Sequence, residues 1–99
     1  MSDTTLSSAT VAPRTVSIVN HLGLHARPAA KIVTTAERFD AETTIAHGTN
    51  VVSALSIMGL MMLGAGEGQD VTLRAHGPQA AEALDALAAL IADGFGERD

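Results

Sequence analysis

The stretch QDVTLRAHGPQAAEALDALAALIADG, residues 69–94, contains the two patterns that decide the fold. Its first part, Gln69 to Ala75, alternates apolar with polar residues, which predicts a strand with one buried face. After Gly77 and Pro78 the apolar residues recur at helical spacing until Gly94 supplies a C-terminal stop. The predicted buried face of this helix consists of Ala81, Leu84, Leu87, Ala88 and Ile91. A half-buried strand followed by an amphipathic helix indicates a sheet covered by helices.

Three further segments toward the N-terminus have strand patterns. The segment from Arg14 to Asn20 alternates apolar with polar side chains and predicts the first strand. The segments from Ala41 to Ala46 and from Thr49 to Ser53 are candidates for the second and third strands. His47 and Gly48 lie between these two segments and predict a hairpin turn.

Two more segments have helical patterns. Residues 26–38 carry small apolar side chains at helical spacing, which predicts a helix that can lie close to a sheet. The predicted apolar stripe of this helix consists of Ala26, Ala29, Ala30, Val33 and Ala36. Ser56 precedes the run IMGLMML, which has the form of an N-cap followed by a short helix ending near Gly64.

The predicted order is strand, helix, strand, strand, helix, strand, helix. All apolar faces are buried most simply when both long helices lie on one side of an antiparallel sheet. The predicted fold class is therefore α+β, an open-faced sandwich of a four-stranded antiparallel sheet with helices packed on one face. Residues 14–99 form this single domain, and residues 1–13, rich in Ser and Thr, are expected to be a disordered lead-in.

The composition argues against several classes of function. The net charge of -5 and the two aromatic residues disfavour nucleic acid as a partner. The longest nearly apolar run, Ile57 to Ala65, is too short to insert into a membrane as a spanning helix. The chain has no cysteine, and its N-terminal residues do not resemble a secretory signal, so a cytoplasmic location is expected.

The segment GLHARPAA, residues 23–30, is the most informative part of the chain for chemistry. Because Pro28 is tolerated only in the first turn of a helix, the helix must begin at about Ala26. His25 is then at the N-cap or beside it. The first amides of a helix lack carbonyl partners and carry the positive end of the helix dipole. A phosphate held on His25 would therefore lie over the amides of Ala26 and Arg27.

Arg27 adds a guanidinium group whose planar fork matches phosphate oxygens. The same positive field disfavours a positive charge on the imidazole, so His25 is expected to keep a lone pair for attack on phosphorus. A second interpretation stays open from these residues alone. In it, His25 only caps the helix and Arg27 is a solvated surface charge.

GLHARPAA, followed by SIMGLMMLGAGEG at residues 56–68, resembles the HPr family of histidine phosphocarriers of the phosphoenolpyruvate-dependent phosphotransferase system. The resemblance runs from Arg14 to Glu97. It implies that His25 is phosphorylated on Nδ1 by enzyme I and passes the phosphoryl group to a histidine of an enzyme IIA protein or domain. It also implies that Arg27 and the helix amides stabilise the phosphate. Such a carrier is a substrate of enzymes and uses no metal or organic cofactor.

The resemblance implies a further role for Ser56, which matches a serine that an ATP-dependent kinase phosphorylates in some members. The sequence departs from the commoner pattern near this site, since Leu55 stands where many members have Lys. Thr49 and Asn50 likewise stand where many have Gly and Lys. A plain helix N-cap is the alternative role of Ser56.

The short helix after Ser56 is expected to be only partly buried. Ile57, Met58 and Met61 are predicted to form an exposed patch for docking partners, which adaptable methionines suit. Leu60 and Leu63 are predicted core residues, and burial of the whole set is the alternative.

The sequence supports three hypotheses about function. The first is the phosphoryl carrier of sugar uptake, and the second is a regulatory carrier of the nitrogen-related branch. The third is an interaction module that is not phosphorylated. Among the other histidines, His47 and His76 are expected to be solvated, and no metal site is predicted.

Overall fold

The structure is a computed structural model, and it describes residues 11–97. The elements are β1 (Arg14–Ser17), α1 (Ala26–Ala36), β2 (Glu42–His47), β3 (Asn50–Ser53), α2 (Ile57–Met62), β4 (Asp70–His76) and α3 (Ala80–Ala92), followed by a 3₁₀ turn at Gly94–Gly96. This order is the predicted one. Most of the predicted lead-in, residues 1–13, lies outside the described residues. Within the described part, Val11 is partly buried against the core.

The four strands form one antiparallel sheet in the order β1-β4-β2-β3. Along β4, Val71, Leu73 and Ala75 are buried and alternate with more exposed polar residues, as predicted. Helix α3 packs against β1, β4 and β2, and α1 packs against α3 and α2. The predicted fold class, an α+β open-faced sandwich, is confirmed.

The core lies between the sheet and the helices. Each large apolar side chain that it buries stabilises the fold by about 1.5–3 kcal/mol. The largest side chains with almost no exposure include Ile18, Ile32, Ile45, Leu60, Leu73, Leu87, Ile91 and Phe95. The helices and strands around the candidate site therefore pack on one continuous core.

Two predicted helix faces differ from the structure, that of α1 by a rotation and that of α3 only at Ala81. In α1 the buried residues are Pro28, Ala29, Ile32 and Ala36, whereas Ala26 is exposed. In α3 Ala80 and Ala83 are buried and Ala81 is exposed, because the helix begins at Ala80 after a turn around Gly77. A stripe of alanines marks a helix face poorly, since alanine fits both buried and exposed positions.

Several predicted boundaries also shift, and two of these shifts change the loops between elements. The first strand ends at Ser17, although Ile18 still pairs with the chain before β4 through its amide bond to the Gln69 carbonyl, at 2.8 Å. His47 belongs to β2 and pairs with Asn50, so the hairpin turn consists of Gly48 and Thr49. The early end of β1 frees residues 18–25 to form the loop that carries the candidate site. None of the described helices has the length and apolar character needed to cross a membrane.

Candidate functional site

The loop before α1 is held by a close contact with the chain after α2. Gly23 adopts a left-handed backbone with φ of 67°, and a Cβ there would lie 2.6 Å from the Ala65 carbonyl oxygen. The next residue, Leu24, donates its amide hydrogen to that same oxygen at 3.2 Å. Glycine is therefore required here, because the backbones approach too closely for any side chain. This contact fixes where the following His25 emerges.

His25 is the N-cap residue of α1, as the position of Pro28 predicts. Its backbone is extended, and its side chain makes no capping hydrogen bond. The side-chain capping bond that the alternative interpretation of His25 invokes is therefore absent. Because the helix begins at Ala26, the amides of Ala26 and Arg27 have no carbonyl acceptor within it. These two amides remain available to an anion beside the imidazole.

The residues predicted to hold the phosphate, His25, Ala26 and Arg27, lie together in one open cavity of about 610 Å³. The side chain of His25 is 35% exposed, and Arg27 is exposed. The cavity is lined by Leu22, His25, Ala26, Arg27, Lys31, Gly96 and Glu97. An imidazole, two unpaired amides and a guanidinium group thus converge on a space that a second protein can reach.

Glu97 is a member of the site that the sequence patterns do not predict. Its Oε2 lies 3.2 Å from Nε2 of His25, and the carboxylate is only 14% exposed. Its other oxygen, Oε1, accepts a hydrogen bond from Nδ2 of Asn20 at 3.1 Å. The signal in the sequence was indirect: Phe95, one of two aromatic residues, stands between two glycines after the last helix. That pattern indicates a turn held in place by a buried aromatic side chain, but it does not indicate a contact with His25.

Ser56 caps α2, as predicted. Its Oγ accepts a hydrogen bond from the amide of Gly59 at 3.0 Å. The backbone of Ser56 is extended, which is the usual N-cap geometry. Ser56 does not line the cavity beside His25.

Replacing Ser56 with alanine should lower the free energy of unfolding by about 1 kcal/mol, because the Gly59 amide loses its acceptor. Urea unfolding followed by circular dichroism measures this change. The matched variant Ser56→Asp keeps an acceptor at the N-terminus and should stay close to the parent. Equal losses in the two variants would contradict the capping role.

The exposed face of α2 is strongly apolar. Ile57, Met58 and Met61 are 40%, 69% and 42% exposed, whereas Leu60 and Leu63 are 0% and 4% exposed. The predicted division into surface and core residues is confirmed, and the alternative of a fully buried helix is wrong. We call Ile57, Met58, Met61 and Met62 the α2 surface; Met62 is 77% exposed. Helix α2 packs against α1, whose N-cap residue is His25.

The remaining histidines have other surroundings. His76 is exposed, as predicted, and its Nε2 lies 2.8 Å from a carboxylate oxygen of Glu42. His47 is half-buried, which contradicts the prediction, because its Nδ1 bonds to the Leu63 carbonyl at 3.0 Å. Residues 11–97 contain no group of three or more His, Asp or Glu side chains that could hold a metal ion.

Comparison with known proteins places this site in a family. Residues 12–93 match the family described as "PTS HPr component phosphorylation site". The phosphocarrier protein HPr of Cupriavidus necator is 50% identical over 84 residues, which cover 85% of this chain and 94% of the relative. The phosphocarrier protein NPr of Shewanella violacea is 49% identical over 84 residues, which cover 85% of this chain and 92% of the relative.

A solved structure supports the same assignment. The crystal structure of HPr-C-His from Thermoanaerobacter tengcongensis matches with a TM-score of 0.84 and 43% identity, covering 90% of this chain and 100% of that chain. The family match, the sequence relatives and the fold agree over most of the chain. The chain therefore belongs to the HPr family, the phosphoryl carriers of the phosphotransferase system.

Proposed function

We propose that this carrier accepts its phosphoryl group on Nδ1 of His25 from enzyme I and passes it to a histidine of an enzyme IIA protein or domain. The observation that carries the proposal is the position of His25 at the start of α1, in the same open cavity as Arg27. An imidazole without a capping bond is available to react, and two free amides lie beside it.

The chemistry is a transfer between two ring nitrogens. The Nδ1 lone pair of His25 attacks phosphorus, and an N–P bond forms as the bond to the donor's histidine breaks. Negative charge is spread over the phosphoryl oxygens during the transfer. The amides of Ala26 and Arg27 and the Arg27 guanidinium stabilise that charge. The reverse sequence, with the enzyme IIA histidine as nucleophile, discharges the carrier.

In this role the protein is a substrate of other enzymes and catalyses no reaction alone. The phosphoryl group arrives from one protein and leaves on another, and the proposed transfer at His25 uses no metal or organic cofactor. The cytoplasm is the proposed location, because enzyme I draws on phosphoenolpyruvate there. The net charge of -5 also fits protein partners better than nucleic acid or anionic lipid.

We propose the α2 surface as the docking surface for these partners. It is apolar and exposed, and the helix that carries it packs on α1. Methionine side chains adapt their shape, which suits a carrier that must bind a donor and an acceptor in turn. Ile57, Met58 and Met61 are the proposed contact residues.

Replacing Met58 with aspartate should weaken binding to enzyme I about tenfold, because a charge must then be desolvated inside an apolar contact. Titration calorimetry measures the affinity. The matched control is Ala81→Asp, which adds the same charge to an exposed position of α3 and should leave the affinity unchanged. Equal binding of the Met58 variant and the parent would exclude this helix from the interface.

Ser56 is the proposed regulatory position on this surface. A phosphate at Ser56, added by an HPr serine kinase, would lie at the N-terminus of α2, where the helix dipole favours negative charge. The fold would therefore survive. The added charges would stand beside Ile57 and Met58, and docking would weaken for the same reason as in Met58→Asp.

A regulatory carrier of the nitrogen-related branch is the second candidate function. Relatives named NPr match this chain nearly as well as those named HPr, at 49% and 50% identity. Transfer from the phosphorylated carrier to a sugar-specific enzyme IIA and to a nitrogen-related enzyme IIA separates the two. The branch whose enzyme IIA is phosphorylated faster is the one that this carrier serves.

Incubation with the organism's own enzyme I, Mg²⁺ and phosphoenolpyruvate tests the main proposal. Intact-mass measurement should show one added phosphoryl group. The modification should be labile in acid and stable in base, as expected for phosphohistidine. An unchanged mass, or a base-labile modification typical of phosphoserine, would contradict it.

A further inference from the structure

We propose that Glu97 is a positioning residue for phosphoryl transfer: it accepts the Nε2 hydrogen of His25 and so holds the ring with the Nδ1 lone pair toward the phosphoryl donor. This inference rests on the proposed function of His25. It starts from the 3.2 Å contact between Nε2 and Oε2 of Glu97, whose carboxylate is largely buried.

The tautomer follows from the partner. A carboxylate can only accept a hydrogen bond, so the contact requires a hydrogen on Nε2 of His25. In a neutral imidazole the other nitrogen, Nδ1, then carries the lone pair. Among residues 11–97, Nδ1 has no hydrogen-bond partner. The nitrogen that the proposed reaction needs is the one that this arrangement leaves free.

Asn20 holds the carboxylate in place. This residue is 1% exposed, and its Nδ2 donates to both the Gly23 carbonyl at 2.8 Å and Oε1 of Glu97 at 3.1 Å. Both partners accept hydrogen bonds only, so the amide group must point its nitrogen toward them. The price is a buried Oδ1 without a partner among the described residues. Because this orientation leaves a buried oxygen without a hydrogen bond, the hydrogen bond from Asn20 to Glu97 is a specific feature of the site.

The backbone before Glu97 is held just as firmly. Phe95 is 1% exposed and has φ of 60°, a left-handed conformation that costs a non-glycine residue free energy. Its carbonyl accepts a hydrogen bond from Nζ of Lys31, a residue of α1. Core burial of Phe95 and this bond fix the turn against α1, the helix that His25 precedes. Asn20 holds the carboxylate and Phe95 holds the preceding backbone, so Glu97 is fixed beside the imidazole.

The carboxylate also favours the transfer itself. When the Nδ1–P bond forms, the ring keeps its Nε2 hydrogen and gains positive charge. Glu97 stabilises that charge from the side of the ring opposite the phosphoryl group, as a carboxylate orients the histidine of a hydrolase triad. Its hydrogen bond to the ring strengthens during the reaction, because the donor becomes charged as well as the acceptor.

The test compares Glu97→Gln with the parent. Long-range ¹H–¹⁵N correlation spectra of the neutral ring show which nitrogen of His25 carries the hydrogen, and they need no partner protein. The parent should show the Nε2–H form, and the variant should show an increased fraction of Nδ1–H. The rate of phosphorylation by enzyme I should fall about tenfold, with the affinity for enzyme I unchanged. The matched control is Glu67→Gln, which removes the carboxylate from the exposed His21 pair and should change neither quantity.

Three results would overturn the inference. One is an Nδ1–H form of His25 in the parent, which decides the matter even if the variant does not fold. Another is a variant with unchanged tautomer and rate, even if its melting temperature falls. The third is faster phosphorylation of the variant, which would make the carboxylate a competitor of the phosphoryl group. A parent with the Nε2–H form that enzyme I does not phosphorylate would refute the proposed function, and of the inference only the orientation of the His25 ring by Glu97 would remain.

Discussion

Replacing His25 with alanine should abolish phosphoryl uptake completely. Among the described residues that line the cavity beside the free amides of α1, His25 is the only histidine, so no other imidazole can take its place. The measurement is intact mass after incubation with enzyme I, Mg²⁺ and phosphoenolpyruvate. The fold should survive, because the side chain is 35% exposed and makes no capping bond. Circular dichroism melts of the variant and the parent check this.

The other three histidines provide matched controls. His21→Ala, His47→Ala and His76→Ala each remove an imidazole that does not line the cavity beside His25, and each should leave uptake intact. A His25 variant that gains the same mass as the parent would refute the assignment. If one of the three controls lost uptake instead, that histidine would be the acceptor.

Replacing Gly23 with alanine should produce the largest loss of stability among single-methyl substitutions in this chain. The added Cβ would lie 2.6 Å from the Ala65 oxygen and 2.9 Å from the Gly66 Cα, both backbone atoms. Strain from the left-handed backbone and displacement of two segments together should cost about 3 kcal/mol. Urea unfolding measures this loss. Phosphorylation should also slow, because the loop that presents His25 must move.

Gly48→Ala is the matched control for this substitution. Gly48 has a similar φ of 62°, but a Cβ there would meet no atom within 4 Å. Only the left-handed backbone is then penalised, at about 1 kcal/mol. Equal losses at the two positions would mean that the contact between Gly23 and Ala65 relaxes freely. The loop before His25 would then be less rigid than the structure indicates.

Local signals explain what the sequence could predict. Pro28 placed the start of α1 within one residue, because proline is excluded from the helix interior. The alternation along residues 70–75 identified β4 and its buried face, since a half-buried strand repeats every two residues. The exposed and buried sides of α2 followed from its short length. Each of these inferences needs only the chain within a few residues of the feature.

Long-range relations explain what it could not predict. The pairing of β1 with β4 joins Arg14 to Leu73, and no local pattern specifies that neighbour. Glu97 is 72 positions from His25, so the residues around His25 carry no sign that a carboxylate belongs to the site. The rotated stripe of α1 has another cause. Ile32 is the large residue that occupies the core, and the alanines around it fit either environment.

The exposed methionines of α2 have a consequence for the oxidation chemistry of the protein. Three of its four methionines, Met58, Met61 and Met62, lie on the α2 surface, and the chain has no cysteine to react in their place. Oxidants convert methionine to the sulfoxide, which is polar, chiral and reducible by dedicated enzymes. Oxidative damage to this carrier should therefore concentrate on its apolar face and leave His25 chemically intact. A cell under oxidative stress would lose the docking of the protein before it lost the fold.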